Sequence, residues 1–174
     1  MLINFFMKDE TIIKTIKDQF INTFEEVKET VRKQEKRSRA GLMLGLQELG
    51  SSLNGFIGAY FPVSSNIIVI NKTPIRRIID TNPKLIKPYG FHLLLHEYIH
   101  SLGFLDENFT KQKTYEITKN HYGDQHIATQ LCTNVKKYFP NLVYPIYGWM
   151  PQNNILLIDI IKGFDKSNTE NYIT

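Results

Sequence analysis

The chain has 174 residues, a net charge of +4 and an ordinary globular composition, with 42% hydrophobic and 22% charged residues. This length and composition predict one folded domain over residues 1–174 and exclude an intrinsically disordered chain. The single cysteine, Cys132, excludes an intrachain disulfide framework and a cysteine-rich zinc module. No apolar stretch reaches about 18 residues, and the short apolar start lacks a basic leader. We therefore expect no membrane partner, no signal peptide and a cytoplasmic location.

The basic residues concentrate in one short stretch, called here the basic segment: Arg32, Lys33, Lys36, Arg37 and Arg39. It lies at the C-terminal end of a predicted long helix, where cations offset the negative end of the helix dipole. A face that contacts nucleic acid or a protein partner is the alternative, but a mild positive charge does not establish one. We interpret the segment as structural and do not expect nucleic acid as a partner.

The first predicted element is a long amphipathic helix over residues 10–36. Neither glycine nor proline interrupts it, and Asp9 is a candidate N-cap. Its apolar residues recur at helical spacing: Ile13, Ile16, Phe20, Phe24, Val27 and Val31. We expect this helix to back the core of the domain.

Three short strands are predicted next, the last two joined by a tight connection, over residues 41–46, 56–61 and 66–71. The third is rich in β-branched residues and suits a buried strand. A short helix is then predicted over residues 73–80, with Thr73 as its cap and Pro74 at its first position.

The part after the central helix is predicted to be mostly helical. Two helices, over residues 110–120 and 125–138, are separated by Gly123, and Asp124 is the predicted cap of the second. An apolar run over residues 155–161 suits either a strand or a helix. Together with the earlier elements, this order predicts an α+β domain.

The central helix, predicted to begin at or just before Gly90 and to stop at Gly103, carries an HExxH motif formed by His96, Glu97 and His100. Histidines four residues apart lie one above the other on a helix, so both imidazoles can bind one metal ion. The glutamate after the first histidine can reach a water molecule on that ion and take its proton as a general base. Zinc makes this water a nucleophile by lowering its pKa toward about 7.

The two histidines face away from the apolar side of this helix. At about 100° per residue, one broad face holds five apolar side chains: Phe91, Leu94, Leu95, Tyr98 and Leu102. His96 and His100 lie nearly opposite the centre of that face, where a histidine that only packs in the core would not be. The pattern predicts a helix whose back is buried and whose front floors a cleft.

A catalytic zinc site takes three protein ligands and leaves one position open. Gly103, three residues after His100, can adopt the left-handed conformation and turn the chain sharply back. This turn can bring Asp106 toward the ion, so we predict His96, His100 and Asp106 as the metal ligands. Four other candidates for the third ligand stay open: Glu107, Glu116, His126 and, less well placed, His121.

The stretch over residues 96–106 resembles the elongated consensus of the metzincin zinc peptidases, HExxHxxGxx followed by histidine or aspartate, in its aspartate form. The resemblance is to small single-domain members of archaeal or bacterial type. It implies Zn²⁺ as the cofactor and a zincin-like fold: a small mixed β-sheet over the active-site helix, a long N-terminal backing helix and a mostly helical C-terminal part. It also implies that a strand within residues 56–70 binds an extended peptide at the sheet edge.

Two weaker resemblances concern residues after the motif. Metzincins carry a methionine in a tight turn beneath the metal, and Met150 is the candidate here, with Tyr144 or Tyr147 near the site. Glu116 and Asn120, four residues apart, resemble the glutamate helix of the gluzincins.

These features predict a zinc-dependent endopeptidase that acts on a peptide or protein substrate, with Glu97 as its general base. The alternative is a non-catalytic zinc- or nucleic-acid-binding protein that uses the basic segment between Arg32 and Arg39. The enzyme is favoured because a structural zinc would take four protein ligands and leave Glu97 without a role.

Overall fold

The structure, a computed structural model, describes residues 2–52, 55–139 and 157–168, with side chains from residue 10 onward. Within these ranges the chain is an α+β protein with six α-helices and one four-stranded mixed sheet, which confirms the predicted fold class. The helices are α1 (Leu2–Glu35), α2 (Lys72–Thr81), α3 (Ile86–Ser101), α4 (Glu107–Tyr122), α5 (Ile127–Thr133) and α6 (Val135–Tyr138). The strands are β1 (Met43–Gln47), β2 (Ala59–Tyr60), β3 (Ile67–Asn71) and β4 (Asp159–Ile161). None of the described helices has the length and apolar content that crossing a bilayer requires.

The predicted N-terminal helix is present and begins earlier than expected. It starts at Leu2, because no glycine or proline between Leu2 and Asp9 stops the helix. Asp9 therefore lies inside the helix and is not its N-cap. The buried stripe contains Ile12, Ile16, Phe20, Phe24, Val27 and Val31. Ile13 is only partly buried, because its neighbour Ile12 takes the core position.

The sheet has the strand order β2-β3-β1-β4. β1 pairs parallel with β3 and antiparallel with β4, and β2 pairs antiparallel with β3. The strand predicted over residues 56–61 is shorter than expected and comprises Ala59–Tyr60. The apolar run over residues 155–161 ends in strand β4. β2 is an edge strand, and it packs against α3.

α1 and α3 pack against each other in the core. Their close approach depends on Gly90, since a Cβ atom there would lie 2.6 Å from Cε1 of Phe20. Further along, the rings of Phe24 and Tyr98 meet edge to face with centroids 5.6 Å apart. α1 therefore covers the apolar back of α3.

Two further predicted helix caps, those of α2 and α5, are wrong, and one predicted helix is divided. Asn71 rather than Thr73 caps α2, because its side chain accepts a hydrogen bond from the Thr73 N–H. His126 rather than Asp124 caps α5 in the same way. The helix predicted over residues 125–138 breaks at Asn134, whose backbone leaves the helical region and whose side chain caps α6.

The segment after β4 is fastened to α1. The ring of Phe164 stacks on that of Phe24 with centroids 4.2 Å apart. Next to it, the buried carboxylate of Asp165 accepts a 2.5 Å hydrogen bond from Nζ of Lys28. An aromatic contact and a buried ion pair thus hold the segment after β4 against helix α1.

Candidate metal centre

The candidate site forms where α3 ends and α4 begins. α3 carries His96, Glu97 and His100, and Gly103 ends the helix with φ = 99°. The helix stop predicted from this glycine is confirmed. The chain then turns and α4 starts at Glu107, so the first residue of α4 faces the last turns of α3.

Three potential ligand atoms converge at this junction. Nε2 of His96 and Nε2 of His100 are 3.2 Å apart, and the carboxylate of Glu107 lies 3.3 Å from the first and 3.2 Å from the second. Zinc–ligand bonds of about 2.0–2.1 Å in a tetrahedron place ligand atoms about 3.3–3.4 Å apart. The two nitrogens have this spacing, and so do the separate contacts of Glu107 Oε1 with His96 and of Oε2 with His100. Two imidazoles with one carboxylate are a donor set that zinc accepts.

The surroundings of His100 fix which of its nitrogens carries the proton. Nδ1 of His100 lies 2.7 Å from the carbonyl oxygen of Phe104, which can only accept a hydrogen bond. The proton is therefore on Nδ1, and Nε2 presents a lone pair in the neutral ring. The hydroxyl of the buried Thr110 also donates to this carbonyl, at 3.2 Å. This is the outer-shell arrangement that orients histidine ligands in metal sites.

The structure does not bring Asp106 to the imidazoles. Asp106 is the N-cap of α4, and its carboxylate accepts a 2.7 Å hydrogen bond from the N–H of Phe109. Its side chain is therefore directed at its own helix, and Glu107, one residue later, reaches back to His96 and His100. The cluster that could hold a metal therefore contains Glu107 in place of Asp106.

The other candidate ligands lie elsewhere in contacts of their own. Glu116 is on the exposed side of α4, where it accepts a hydrogen bond from Gln112 at 2.9 Å. His126 caps α5, and its ring stacks on Tyr122 with centroids 4.2 Å apart. His121 lies 3.0 Å from the carboxylate of Glu26 on α1. The three-residue cluster that could hold a metal among the described residues contains none of them.

Glu97 is buried, with 4% exposure, and lines the same two cavities as His96 and Glu107. Burial raises its pKa to about 8, and the nearby charge of Glu107 adds to this, while a hydrogen bond from the Phe61 backbone N–H acts against it. Without a cation nearby, the carboxyl group holds its proton at neutral pH. A divalent cation would favour the ionised form, as charge partners do.

Two of the candidate ligands, His96 and Glu107, are in the charge states that a metal requires. Burial lowers the pKa of His96 and outweighs the opposing effect of Glu107, so the imidazole is neutral at pH 7. Partial burial alone would raise the pKa of Glu107, but His96 and Lys111 outweigh it and keep the group ionised. A neutral imidazole and an ionised carboxylate can bind a metal ion without first losing protons.

The cluster lies between two cavities that share His96, Glu97 and Glu107. The first, of about 300 Å³, runs beneath β2 and the β2–β3 turn toward Leu105. The second, of about 480 Å³, runs between the segment before β2, residues 55–58, and helices α5 and α6. The prediction that the histidine side of α3 floors a cleft is confirmed.

Strand β2 borders both cavities and, among the described strands, pairs on one side only. Gly58 accepts a hydrogen bond from the N–H of Asn71 on β3 at 2.9 Å. Hydrogen-bonded and non-hydrogen-bonded residue pairs alternate along an antiparallel ladder, and Ala59 belongs to a non-hydrogen-bonded pair. Its backbone N–H and C=O therefore point away from β3. They face the cavities, since Ala59 lines both of them.

His92 and Cys132 meet in the second cavity, a contact that the sequence did not predict. Nδ1 of His92 lies 3.3 Å from Sγ of Cys132. Burial lowers the pKa of His92 to about 4 and raises that of Cys132 to about 11. Both are therefore neutral at pH 7, and neither is a charged ligand or nucleophile.

The basic segment is largely occupied by contacts within the chain. Arg32 donates two hydrogen bonds to Glu29, at 2.8 and 2.9 Å. Arg39 donates to the backbone oxygens of Ser101, at 2.6 Å, and Ser65, at 2.7 Å. It thereby joins the end of α3 to the β2–β3 turn and holds two walls of the site together.

The predicted methionine turn, Met150 with Tyr144 and Tyr147, lies outside the described residues.

Comparison with known proteins finds no relative: no protein-family model, no curated protein and no solved structure matches this chain.

Proposed function

We propose that this chain is a zinc-dependent endopeptidase of zincin-like design, with His96, His100 and Glu107 as the metal ligands and Glu97 as the general base. The convergence of two imidazole nitrogens and a carboxylate, 3.2–3.3 Å apart and beside a cleft, carries this proposal. Three protein ligands beside a cavity leave the fourth position of a tetrahedral ion open.

Zinc in this site would act as a Lewis acid and make water nucleophilic at neutral pH. Glu97 takes the proton from the attacking water and passes it to the leaving amine. Its burial places it in a low dielectric, where hydrogen bonds are stronger than in water, and the hydrogen bond from the Phe61 N–H orients the carboxylate.

The free edge of β2 supports a peptide as the substrate. An extended chain that adds to this edge would exchange hydrogen bonds with the backbone of Ala59 and pass over the ligand cluster. Its alternate side chains would point into the two cavities. This is the edge-strand arrangement that the resemblance to metzincins implied.

A nucleic-acid role for the basic segment has less support, because Arg32 and Arg39 already bind partners within the chain.

We keep the prediction of a cytoplasmic location, which fractionation of cells that express the protein would test.

The test combines metal content with hydrolysis. Purified protein should contain about one zinc per chain by mass spectrometry and should cleave a mixed peptide library. Glu97→Gln should lower the rate by about 10²–10⁴-fold, the usual contribution of a general base, with zinc retained. Glu116→Gln, an isosteric change on the exposed side of α4, is the matched control. Absence of zinc, or full activity in Glu97→Gln, would contradict the proposal.

A further inference from the structure

Arg39 lies between two walls of the candidate site and contacts both. Its guanidinium group donates a 2.6 Å hydrogen bond to the backbone oxygen of Ser101, at the end of α3, and a 2.7 Å hydrogen bond to that of Ser65, in the β2–β3 connection. Hydrogen bonds from a charged donor are roughly twice as strong as those between neutral groups. The planar fork of an arginine holds two carbonyl oxygens at once, which the ammonium of a lysine does not match.

The backbone of Arg39 is fixed to the same helix. Its N–H donates a 2.7 Å hydrogen bond to the hydroxyl oxygen of Tyr98, and this hydroxyl donates in turn to the Arg39 carbonyl oxygen at 3.1 Å. Tyr98 is a buried core residue of α3, so close packing holds its ring in place. Both the backbone and the side chain of Arg39 are therefore anchored on the helix that carries the site.

Arg39 also contacts the residue that orients Glu97. The Cζ atom of Arg39 lies 5.2 Å from the centroid of the Phe61 ring, within the range of a cation–π contact. The backbone N–H of Phe61 donates a hydrogen bond to the carboxylate of Glu97. These contacts form a closed path: α3 holds Arg39, Arg39 holds Phe61, and Phe61 holds Glu97 on α3.

A tight turn makes Ser65 and Phe61 move together. The N–H of Ser65 donates a 3.1 Å hydrogen bond to the carbonyl oxygen of Pro62, which closes the turn over residues 62–65. Phe61 lies between this turn and the end of β2. Arg39 thus holds the turn at one end through Ser65 and at the other through the Phe61 ring. Both contacts act on the position of the Phe61 N–H.

We propose that Arg39 is a positioning residue for catalysis, which holds the Phe61 N–H against the carboxylate of Glu97 and so keeps the general base in its working orientation. The inference rests on the proposed function, in which Glu97 takes the proton of the attacking water. Arg39 is not among the residues that line the two cavities, so it acts through Phe61 rather than on the substrate. One member of the basic segment thereby has a role that needs no nucleic acid.

The first test compares the activity of Arg39→Ala and Arg32→Ala. Loss of positioning should lower kcat of the zinc-loaded Arg39→Ala by about 10–100-fold, the usual effect of removing an outer-shell partner. KM should change little, and zinc should remain at about one per chain, because the ligands are untouched. Arg32→Ala removes an equal charge from the same segment, at an exposed ion pair with Glu29, and should match the wild type. Wild-type kcat in Arg39→Ala, or loss of its zinc, would overturn the proposal.

Arg39→Lys provides the same test if Arg39→Ala does not fold. The variant keeps the charge and the long stem but lacks the planar fork, so it cannot hold both carbonyls in the same way. Its kcat should fall by about five-fold, the value of one net hydrogen bond, with zinc retained. Wild-type kcat in this variant would show that charge alone suffices and would overturn the proposal.

A double-mutant cycle shows whether Arg39 acts through the general base. Without the carboxylate of Glu97, the Phe61 N–H has no base to orient. Arg39→Ala should therefore lower the residual rate of Glu97→Gln by less than about two-fold, since residues that act as a unit are not additive. A general structural role would instead lower the rate by the same factor in both backgrounds, because independent effects add in free energy. Equal factors would overturn the proposal.

Amide hydrogen exchange, followed by NMR in the zinc-loaded protein, measures the positioning without turnover. The Phe61 amide should exchange at least about ten-fold faster in Arg39→Ala than in the wild type, because its local opening becomes easier. The amides of Leu94 and Leu95, buried in α3, should exchange alike in the two proteins and so report an intact core. Equal protection of the Phe61 amide in both proteins would overturn the proposal.

These measurements separate the positioning role from the proposed function. If the wild type holds zinc but cleaves no peptide, the peptidase fails, and exchange of the Phe61 amide still decides whether Arg39 fixes that N–H. If the wild type cleaves peptides and Arg39→Ala is equally active, the peptidase stands and the positioning role fails.

Discussion

Two compact groups of polar side chains in this chain are built in opposite ways. In the group that joins α1 to the C-terminal segment, each donor meets an acceptor. Nζ of Lys28 donates to Asp165 at 2.5 Å and to Ser167 at 2.8 Å, and the second oxygen of Asp165 accepts from the Leu42 N–H at 3.2 Å. This group is complete as it stands.

In the group at the α3–α4 junction, two imidazole nitrogens and a carboxylate converge on one another. The Nδ1 proton of His100 is committed to Phe104, so its Nε2 offers a lone pair toward His96 and the Glu107 carboxylate. Such an arrangement gains stability from an added cation and lies beside open cavities. The pairing of donors with acceptors, rather than the presence of charge, therefore distinguishes a structural cluster from a candidate site.

The largest expected effect on folding comes from the complete group. Asp165→Asn removes the buried charge partner of Lys28 and leaves it, among the described residues, only Glu25, at 2.9 Å, so the free energy of unfolding should fall by about 3 kcal/mol in urea titrations. Zinc affinity should not change. Glu29→Gln, which removes an exposed ion pair, is the control and should leave stability nearly unchanged. A loss of zinc in Asp165→Asn would show that the two groups are coupled.

The reverse pattern is expected at the candidate site. Glu107→Ala should weaken zinc binding by more than about 100-fold, because loss of an outer-shell partner already costs about 10–100-fold. Asp106→Ala should keep zinc but lose about 1 kcal/mol of stability with its helix cap. Zinc titration with a competing chelator and urea unfolding measure both. If Asp106→Ala rather than Glu107→Ala loses the metal, the third ligand is Asp106.

Glu97 should reduce the stability of the metal-free protein. A folded-state pKa of about 8, against about 4.3 when unfolded, means that the folded chain binds the extra proton between these values. Stability therefore falls as pH rises through this window. Glu97→Gln should unfold with a free energy higher by on the order of 3–4 kcal/mol at pH 7, measured in chelator, and the difference should shrink toward pH 4. A constant difference across pH would contradict the burial of this carboxyl group.

The smallest effect concerns the acid sensitivity of the complete group. Burial alone would raise the pKa of Asp165, but Lys28 outweighs it and the pKa lies below its usual range. The stabilisation is thus present above the unfolded pKa, about 3.9, and is lost as pH falls toward the folded pKa. The stability difference between wild type and Asp165→Asn should narrow by at most about 1.4 kcal/mol per pH unit below pH 4. A difference that widens would contradict the ion pair.

Local patterns in the sequence predicted much of the fold. Apolar spacing located α1 and α3, β-branched composition located β3, and Gly103 marked the end of α3. Local rules failed at helix caps, because Asn71 and His126 compete with the neighbouring residues that also have capping side chains. That competition is decided by how each chain segment enters its helix.

The pair of histidines and Glu97 followed from helix periodicity alone, since four residues complete about one turn and place both rings on one side. The third ligand did not. Asp106 and Glu107 are adjacent, and the angle between α3 and α4 decides which carboxylate faces the imidazoles and which caps α4. The cavity with Tyr89 and Cys132 also depends on residues far apart in the chain. The geometry of such sites is set by how the helices pack in the core. Local sequence patterns do not contain this information, because the residues involved are not neighbours in sequence.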